Sequence, residues 1–194
     1  MVENIDIKSG WLRNRLSKVI WGAAAIILLL PLVAMQFTKE VTWDLLDFGV
    51  AGILLASICS LYELAARKAP NTIYQAASAG ALLTLLLLIW INLAVGTIGS
   101  ENNPANLLYI GVVVVGIIGV ITARLKPHGM SRALWGVAIT QILVTTIVLT
   151  VGVQTESNSS LVEILSINGI FTALWIASAI LFRKAGMRRI SPNQ

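Results

Sequence analysis

Charged residues, cysteine and histidine are all scarce in this chain of 194 residues. Only 12% of the residues are charged, whereas an average soluble domain has about 25%. The single cysteine, Cys59, has no second cysteine to pair with, and we expect it to pack as an apolar residue. The single histidine, His128, lies in a short basic segment, where a histidine is usually just solvated. A soluble globular domain is therefore not expected.

Sequence motifs of common enzymes are also missing. Histidine, cysteine and carboxylates do not cluster at metal-ligand spacing, and no nucleophile elbow is present. The glycines of the segment 96–100 follow no strand pattern, so they do not form a nucleotide-binding loop. We therefore predict no cofactor and no metal, and a protein without catalytic activity is favoured over a membrane enzyme.

Long apolar segments make up most of the chain, with 57% hydrophobic residues overall. A helix needs about 20 mainly apolar residues to cross a hydrocarbon core roughly 30 Å thick. The sequence predicts an all-α membrane protein with six transmembrane helices in one domain, residues 18–182. The predicted spans are Lys18–Phe37, Asp44–Ala66, Ile73–Ile98, Ala105–Ala123, Arg132–Val153 and Leu161–Phe182.

The segments flanking this domain are polar and basic. In residues 1–17, Trp11, Leu12 and Leu16 recur at helical spacing among basic residues, which is typical of a helix lying in the headgroup layer. Residues 183–194 are predicted to form a basic tail.

Basic residues are distributed unequally between the two predicted sides. With the N-terminus in the cytoplasm, 13 of the 14 lysines and arginines fall in inner segments, and Lys39 alone is outside. Positively charged loops remain in the cytoplasm, so both termini are predicted to be cytoplasmic. Topology thus explains the net charge of +5, and we expect the lipid bilayer, not nucleic acid, as the partner.

The spans suggest three helical hairpins of similar pattern. Arg67, Arg124 and Arg183 each end an even-numbered span, at intervals of 57 and 59 residues. Any hairpin protein gives part of this periodicity through its topology alone, so both a true repeat and a plain succession of hairpins remain open.

Small residues form two stripes at helical spacing. Such stripes let helix backbones approach closely in lipid, and they suggest a tight bundle and a homo-oligomer or a complex with another membrane subunit. The stripes are Gly49, Gly52, Ala56 and Ser60 in the second span, and Gly116, Gly119 and Ala123 in the fourth.

Aromatic residues lie near many span ends, as in the belts that membrane proteins place at the two interfaces. Members of this set include Trp21, Trp43, Tyr62, Tyr74, Tyr109, Trp135 and Phe182. Trp90 and Trp175 lie deeper and are expected to pack against protein or lipid.

Polar residues within or beside the spans are the candidates for a site, because polar groups are costly in hydrocarbon. They could line an outward-facing vestibule that binds a cation or a small polar solute. The candidate residues are Asp44, Asp47, Asn92, Glu101, Asn103, Asn106, Gln141, Glu163 and Asn168.

A structural role can explain the same residues. Acids such as Asp44 and Glu163 suit the first turn of a helix because of the helix dipole. The amides of Asn92, Gln141 and Asn168 can form hydrogen bonds between helices. Similarly, Glu63 and Arg67 have the spacing of an ordinary surface ion pair.

Two strings resemble small multi-pass inner-membrane proteins of bacteria whose activity is uncharacterised. They are Trp43-Asp44-Leu45-Leu46-Asp47-Phe48, and the segment from Asn92-Leu93-Ala94-Val95-Gly96 through Gly99-Ser100-Glu101-Asn102-Asn103-Pro104-Ala105-Asn106. The resemblance covers roughly residues 40–125. It implies a location in the bacterial inner membrane and gives no role to any residue.

Two functions remain open. The sequence favours a non-catalytic accessory protein or scaffold of the membrane. The alternative is a permease for a small solute or ion that uses the polar residues near the outer face.

Overall fold

The computed structural model describes residues 3–94, 104–152 and 161–187. This part of the chain is nearly all helical and contains no strand. The all-α class predicted from the sequence is confirmed. The helices are α1 (Glu3–Phe37), α2 (Leu45–Arg67), α3 (Thr72–Ala94), α4 (Leu108–Ala123), α5 (Pro127–Gly152) and α6 (Leu161–Met187), and a 3₁₀ helix (Pro104–Leu107) precedes α4.

Helix length agrees with six spans. Within the described ranges, five helices are long and apolar enough to cross a membrane, and α4 is shorter, with 16 residues. Helix α4 rises about 24 Å at 1.5 Å per residue, and its 3₁₀ lead-in adds about 8 Å. Together they match the roughly 30 Å of a hydrocarbon core.

Several helix boundaries differ from the prediction, and α6, for example, continues to Met187 beyond Phe182. Two of the differences concern the starts of α5 and α1. Helix α5 begins at Pro127, not at Arg132, because proline fits the first helical position, where a missing N–H costs nothing. The segment Lys126-Pro127-His128-Gly129 is expected from its proline and glycine to be a turn, but Pro127, His128 and Gly129 belong to the helix. At the other boundary, α1 is continuous from Glu3 to Phe37, so the predicted amphipathic segment and the first span are one helix.

The chain divides into two compact units, the first ending at Arg67 and the second beginning at Lys68. The first unit is an antiparallel hairpin of α1 and α2. Leu28 of α1 lies so close to α2 that a Cβ on Gly52 would be 3.7 Å from its methyl carbon. Gly52 therefore lies in the contact between the two helices, although a methyl group would also fit there.

Glu63 of α2 links the two helices of this hairpin through polar contacts. Its carboxylate accepts hydrogen bonds from the Ser17 hydroxyl and from the Trp21 indole nitrogen, the latter at 3.0 Å. The predicted ion pair with Arg67 is confirmed at 3.5 Å. Glu63 therefore bonds across the hairpin as well as along its own helix.

The small-residue stripe of α2 is mostly not its buried face. Gly49 and Ser60 are exposed, whereas Ala51, Leu55 and Cys59 are buried. The expectation that Cys59 packs as an apolar residue is confirmed, since it is 3% exposed.

In the second unit, α6 packs against both α3 and α5, and α5 also packs against α4. The principal helix pairs are therefore α3 with α6, α6 with α5 and α5 with α4. The consecutive helices α3 and α4 each have another helix as their principal partner. Two of the three predicted hairpins, α1 with α2 and α5 with α6, are packed pairs, whereas α3 and α4 are not principal partners.

The small-residue stripe of α4 does form a close contact, with α5. A Cβ on Gly119 would be 2.7 Å from the Cβ of Ala133, and a Cβ on Gly129 would be 2.9 Å from the Cα of Ala123. Glycine at these two positions lets the backbones of α4 and α5 approach, as expected for helices associating in lipid.

Several aromatic residues expected at the membrane interfaces are buried in protein instead. Tyr62, Tyr74, Tyr109 and Phe182 are all buried, whereas Trp21 and Trp135 are exposed. Trp175 is buried as well, in agreement with the expectation of packing. Burial of the tyrosines means that their hydroxyl groups need partners within the protein.

Candidate functional site

Tyr109, Gln141 and Asn168 form a cluster of neutral polar side chains inside the second unit. The hydroxyl group of Tyr109 and the amide nitrogen of Gln141 both donate to Oδ1 of Asn168, each at 2.8 Å. Gln141 is 0% and Asn168 1% exposed. One amide oxygen thus joins α4, α5 and α6. We call these three residues the amide cluster.

The orientation of Asn168 is fixed by its own helix. Its amide nitrogen donates to the carbonyl oxygen of Ile164 at 2.9 Å, which points Oδ1 toward the two donors. An amide turned by 180° would place its oxygen against the carbonyl oxygen of Ile164 and its nitrogen against the amide nitrogen of Gln141, so the orientation described satisfies the hydrogen bonds. The cluster therefore holds α4, α5 and α6 in register.

One acceptor of the amide cluster has no partner. Oε1 of Gln141 is buried and accepts no hydrogen bond. Among the described residues of the second unit, two other buried side-chain atoms also lack a partner, Oδ1 of Asn92 and Nε1 of Trp175. A buried polar atom without a partner is costly. Gln141 Oε1 is therefore the atom of the amide cluster that can still accept a hydrogen bond.

The acidic pair of the first unit has a structural role. The backbone N–H of Asp47 donates to Oδ1 of Asp44, and the backbone N–H of Asp44 donates to Oδ2 of Asp47, both at 2.9 Å. These reciprocal bonds form a capping box at the start of α2, with Asp44 as the N-cap. Each carboxylate keeps one oxygen for the solvent, since both residues are exposed.

Replacing Asp44 with alanine is expected to lower the free energy of unfolding by about 1 kcal/mol, because the cap of α2 is lost. Reversible unfolding in mixed detergent micelles, followed by far-UV circular dichroism, measures this change. Glu40→Ala is the matched control, since Glu40 is an exposed acid in the same loop. Equal effects of the two substitutions would mean that the cap contributes nothing.

The remaining predicted residues are dispersed. Asn92 donates to the carbonyl of Leu88 in its own helix at 3.0 Å. Asn106 is buried, and Glu163 is exposed in the first turn of α6. Glu101 and Asn103 lie outside the described residues. Among the candidates that the structure describes, hydrogen bonds join Asp44 to Asp47 and Gln141 to Asn168.

Sequence reasoning missed Tyr109 and Asn71. A tyrosine near a span end resembles an interfacial residue, and nothing local connects Tyr109 to Asn168, 59 positions later. Asn71 had a visible signal, since it precedes an apolar run and follows a proline. Its Oδ1 accepts from the backbone N–H of Tyr74 at 2.9 Å, so it caps α3.

The described residues contain no group of three or more histidine, cysteine or acidic side chains that could hold a metal ion. The amide cluster has only neutral groups, so it suits hydrogen bonding to an uncharged polar group better than acid–base chemistry. No protein-family model, curated protein or solved structure matches this chain. The amide cluster therefore has to be interpreted from its chemistry alone.

Proposed function

We propose that this chain is a non-catalytic accessory protein or scaffold of the bacterial inner membrane. One observation supports it most. Polar side chains that could have formed a solute site instead hold helices: Asp44 and Asp47 cap α2, and Gln141 and Asn168 join helices of the second unit. A protein whose polar groups stabilise its own helices resembles a structural subunit more than a transporter.

The location rests on composition and charge. The described helices expose many hydrophobic side chains, among them Ile26, Leu83 and Ile121. Such an apolar surface is expected where a protein faces lipid. The bias of basic residues toward one side supports cytoplasmic termini. The bacterial location is proposed from the resemblance of residues 43–48 and 92–106 to bacterial inner-membrane proteins.

Purification of the intact chain in a mild detergent tests the accessory role. We expect a stoichiometric assembly, either with a second copy or with another membrane subunit, and mass photometry distinguishes the two. A homogeneous monomer that recruits no partner when reconstituted with the membrane extract would contradict the proposal.

A permease is the second candidate, favoured by the partnerless Oε1 of Gln141 inside the second unit. Solute flux into proteoliposomes would then require Gln141. Gln141→Leu would abolish the flux, whereas Thr146→Val, an exposed residue of the same helix, would not. Absence of flux for a panel of small polar solutes and ions would leave the accessory role in place.

A further inference from the structure

One end of the second unit carries only positive charge among its described residues. This is the end where α4 and α6 finish and α5 begins, and we call it the basic end. Within the described part of the chain, its cations form no ion pair with a carboxylate. The exposed cations include Arg124, Lys126, Arg132, Arg183 and Lys184.

Tyr74, which is 0% exposed, brings two segments of the basic end together. Its hydroxyl group donates to the carbonyl oxygen of Leu125 at 2.7 Å. Its ring meets the ring of Phe182 edge-on, with 4.9 Å between centroids and 82° between planes. Basic residues adjoin both contacts in the chain: Arg124 and Lys126 flank Leu125, and Arg183 follows Phe182.

The connection between α4 and α5 has an unusual conformation. Arg124 and Leu125 have φ angles of 48° and 58°, in the left-handed region that residues other than glycine rarely adopt. Hydrogen bonds from Tyr74 to Leu125, from the Lys126 N–H to the Ala123 carbonyl at 2.9 Å and from the Arg124 N–H to the Val120 carbonyl at 3.1 Å hold this conformation. Such conformations persist where the surroundings enforce them, often at ligand-binding sites.

The ends of α3, α5 and α6 are also tied together. Asn71 donates from its amide nitrogen to the carbonyl of Ala185 at 2.9 Å. His128, in the first turn of α5, lies against Gly186, where a Cβ would be 2.8 Å from Nε2 of the imidazole. The backbone that carries the basic side chains is therefore held in place by contacts between the helix ends.

We propose that the basic end binds the phosphate group of an anionic phospholipid. Helix ends of a membrane domain lie at the depth of the headgroups, and arginine and lysine are the residues that bind phosphate there. Membrane topology alone requires positive charge on one side but no fixed positions. The contacts of Tyr74 and the left-handed residues hold the backbone at Leu125 and Phe182 in a fixed position. The basic residues next to them in the chain therefore start from fixed points, as in a binding site.

Lipid binding to the intact chain, measured by native mass spectrometry with phosphatidylglycerol or phosphatidylcholine, tests the proposal. The wild-type protein is expected to prefer phosphatidylglycerol. The double substitution Arg124→Gln and Arg183→Gln should weaken phosphatidylglycerol binding by about 25-fold, at about fivefold per charge. The matched control, Lys18→Gln with Lys39→Gln, removes two exposed charges from the first unit and should change binding less than about twofold.

Tyr74→Phe separates a site from diffuse attraction, because it keeps every charge and the ring but removes the bond to Leu125. We expect an about fivefold loss of phosphatidylglycerol binding, with phosphatidylcholine binding and the circular dichroism spectrum unchanged. Unaltered binding in Tyr74→Phe, or an equal loss in the control, would overturn the proposal. Displacement of the lipid by millimolar inorganic phosphate would assign the site to a free anion and overturn the lipid proposal. If the wild-type protein showed no preference for phosphatidylglycerol, the lipid proposal would also be overturned. This outcome does not depend on whether the double variant folds.

Discussion

Replacing Asn168 with leucine is expected to lower the free energy of unfolding by about 2 kcal/mol, or about 30-fold in the ratio of folded to unfolded protein. The reason is that Oδ1 of Asn168 is the shared acceptor of Tyr109 and Gln141. Leucine leaves both donors buried without a partner, at about 1 kcal/mol each. Unfolding in mixed detergent micelles, followed by tryptophan fluorescence, measures the change.

Asn92→Leu is the matched control for this substitution. Asn92 is also an amide within an apolar helix, but among the described residues its nitrogen bonds to Leu88 of its own helix and its Oδ1 has no partner. Leucine there should change stability by less than about 0.5 kcal/mol. Equal losses for the two variants would show that the bonds between helices at Asn168 contribute nothing beyond the amide itself.

Replacing Gly119 with alanine is expected to lower the free energy of unfolding by about 2 kcal/mol. The added Cβ would be 2.7 Å from the Cβ and 3.3 Å from the Cα of Ala133, so α4 and α5 must move apart. Close contact between these helices would then be lost along the α4 stripe. The same unfolding measurement in detergent micelles determines the loss.

Two further variants isolate the contact. Gly111→Ala, in the same helix, adds an identical methyl group where nothing lies within 4 Å, and we expect a change below about 0.5 kcal/mol. Ala133→Gly should recover part of the loss in Gly119→Ala, with a coupling energy of about 1 kcal/mol in a double-mutant cycle. A coupling near zero would contradict the close approach of the two backbones.

The sequence predicted the helices much better than their packing. Long apolar runs determine that Leu83 and Leu88 lie in a spanning helix, but Leu83 is 55% and Leu88 0% exposed. Lipid is as apolar as leucine, so lipid-facing and protein-facing positions have the same composition. The pairing of α3 with α6 therefore had no signal in the sequence. Local features such as the Glu63–Arg67 pair were predictable because they depend only on helix geometry.

For the candidate site, too, the sequence identified individual residues but not the contacts between them. Gln141 and Asn168 were found because an amide within an apolar run is conspicuous. Tyr109 was missed because tyrosine is common at membrane interfaces, and its partner lies on a distant helix. Asp44 and Asp47 were found as acids, but two interpretations fitted them. Only the reciprocal bonds of the capping box show that they act on their own helix.

The pairing of α3 with α6 has a consequence for biosynthesis. About 66 residues separate the two helices, and a ribosome needs roughly 3 to 13 s to add them. During this interval α3 enters the bilayer before its principal neighbour exists, so the buried Tyr74 and Leu88 first face lipid or the insertion machinery. Completion of the second unit therefore waits for the synthesis of α6, and a chain stalled before that point would present α3 to quality-control proteases.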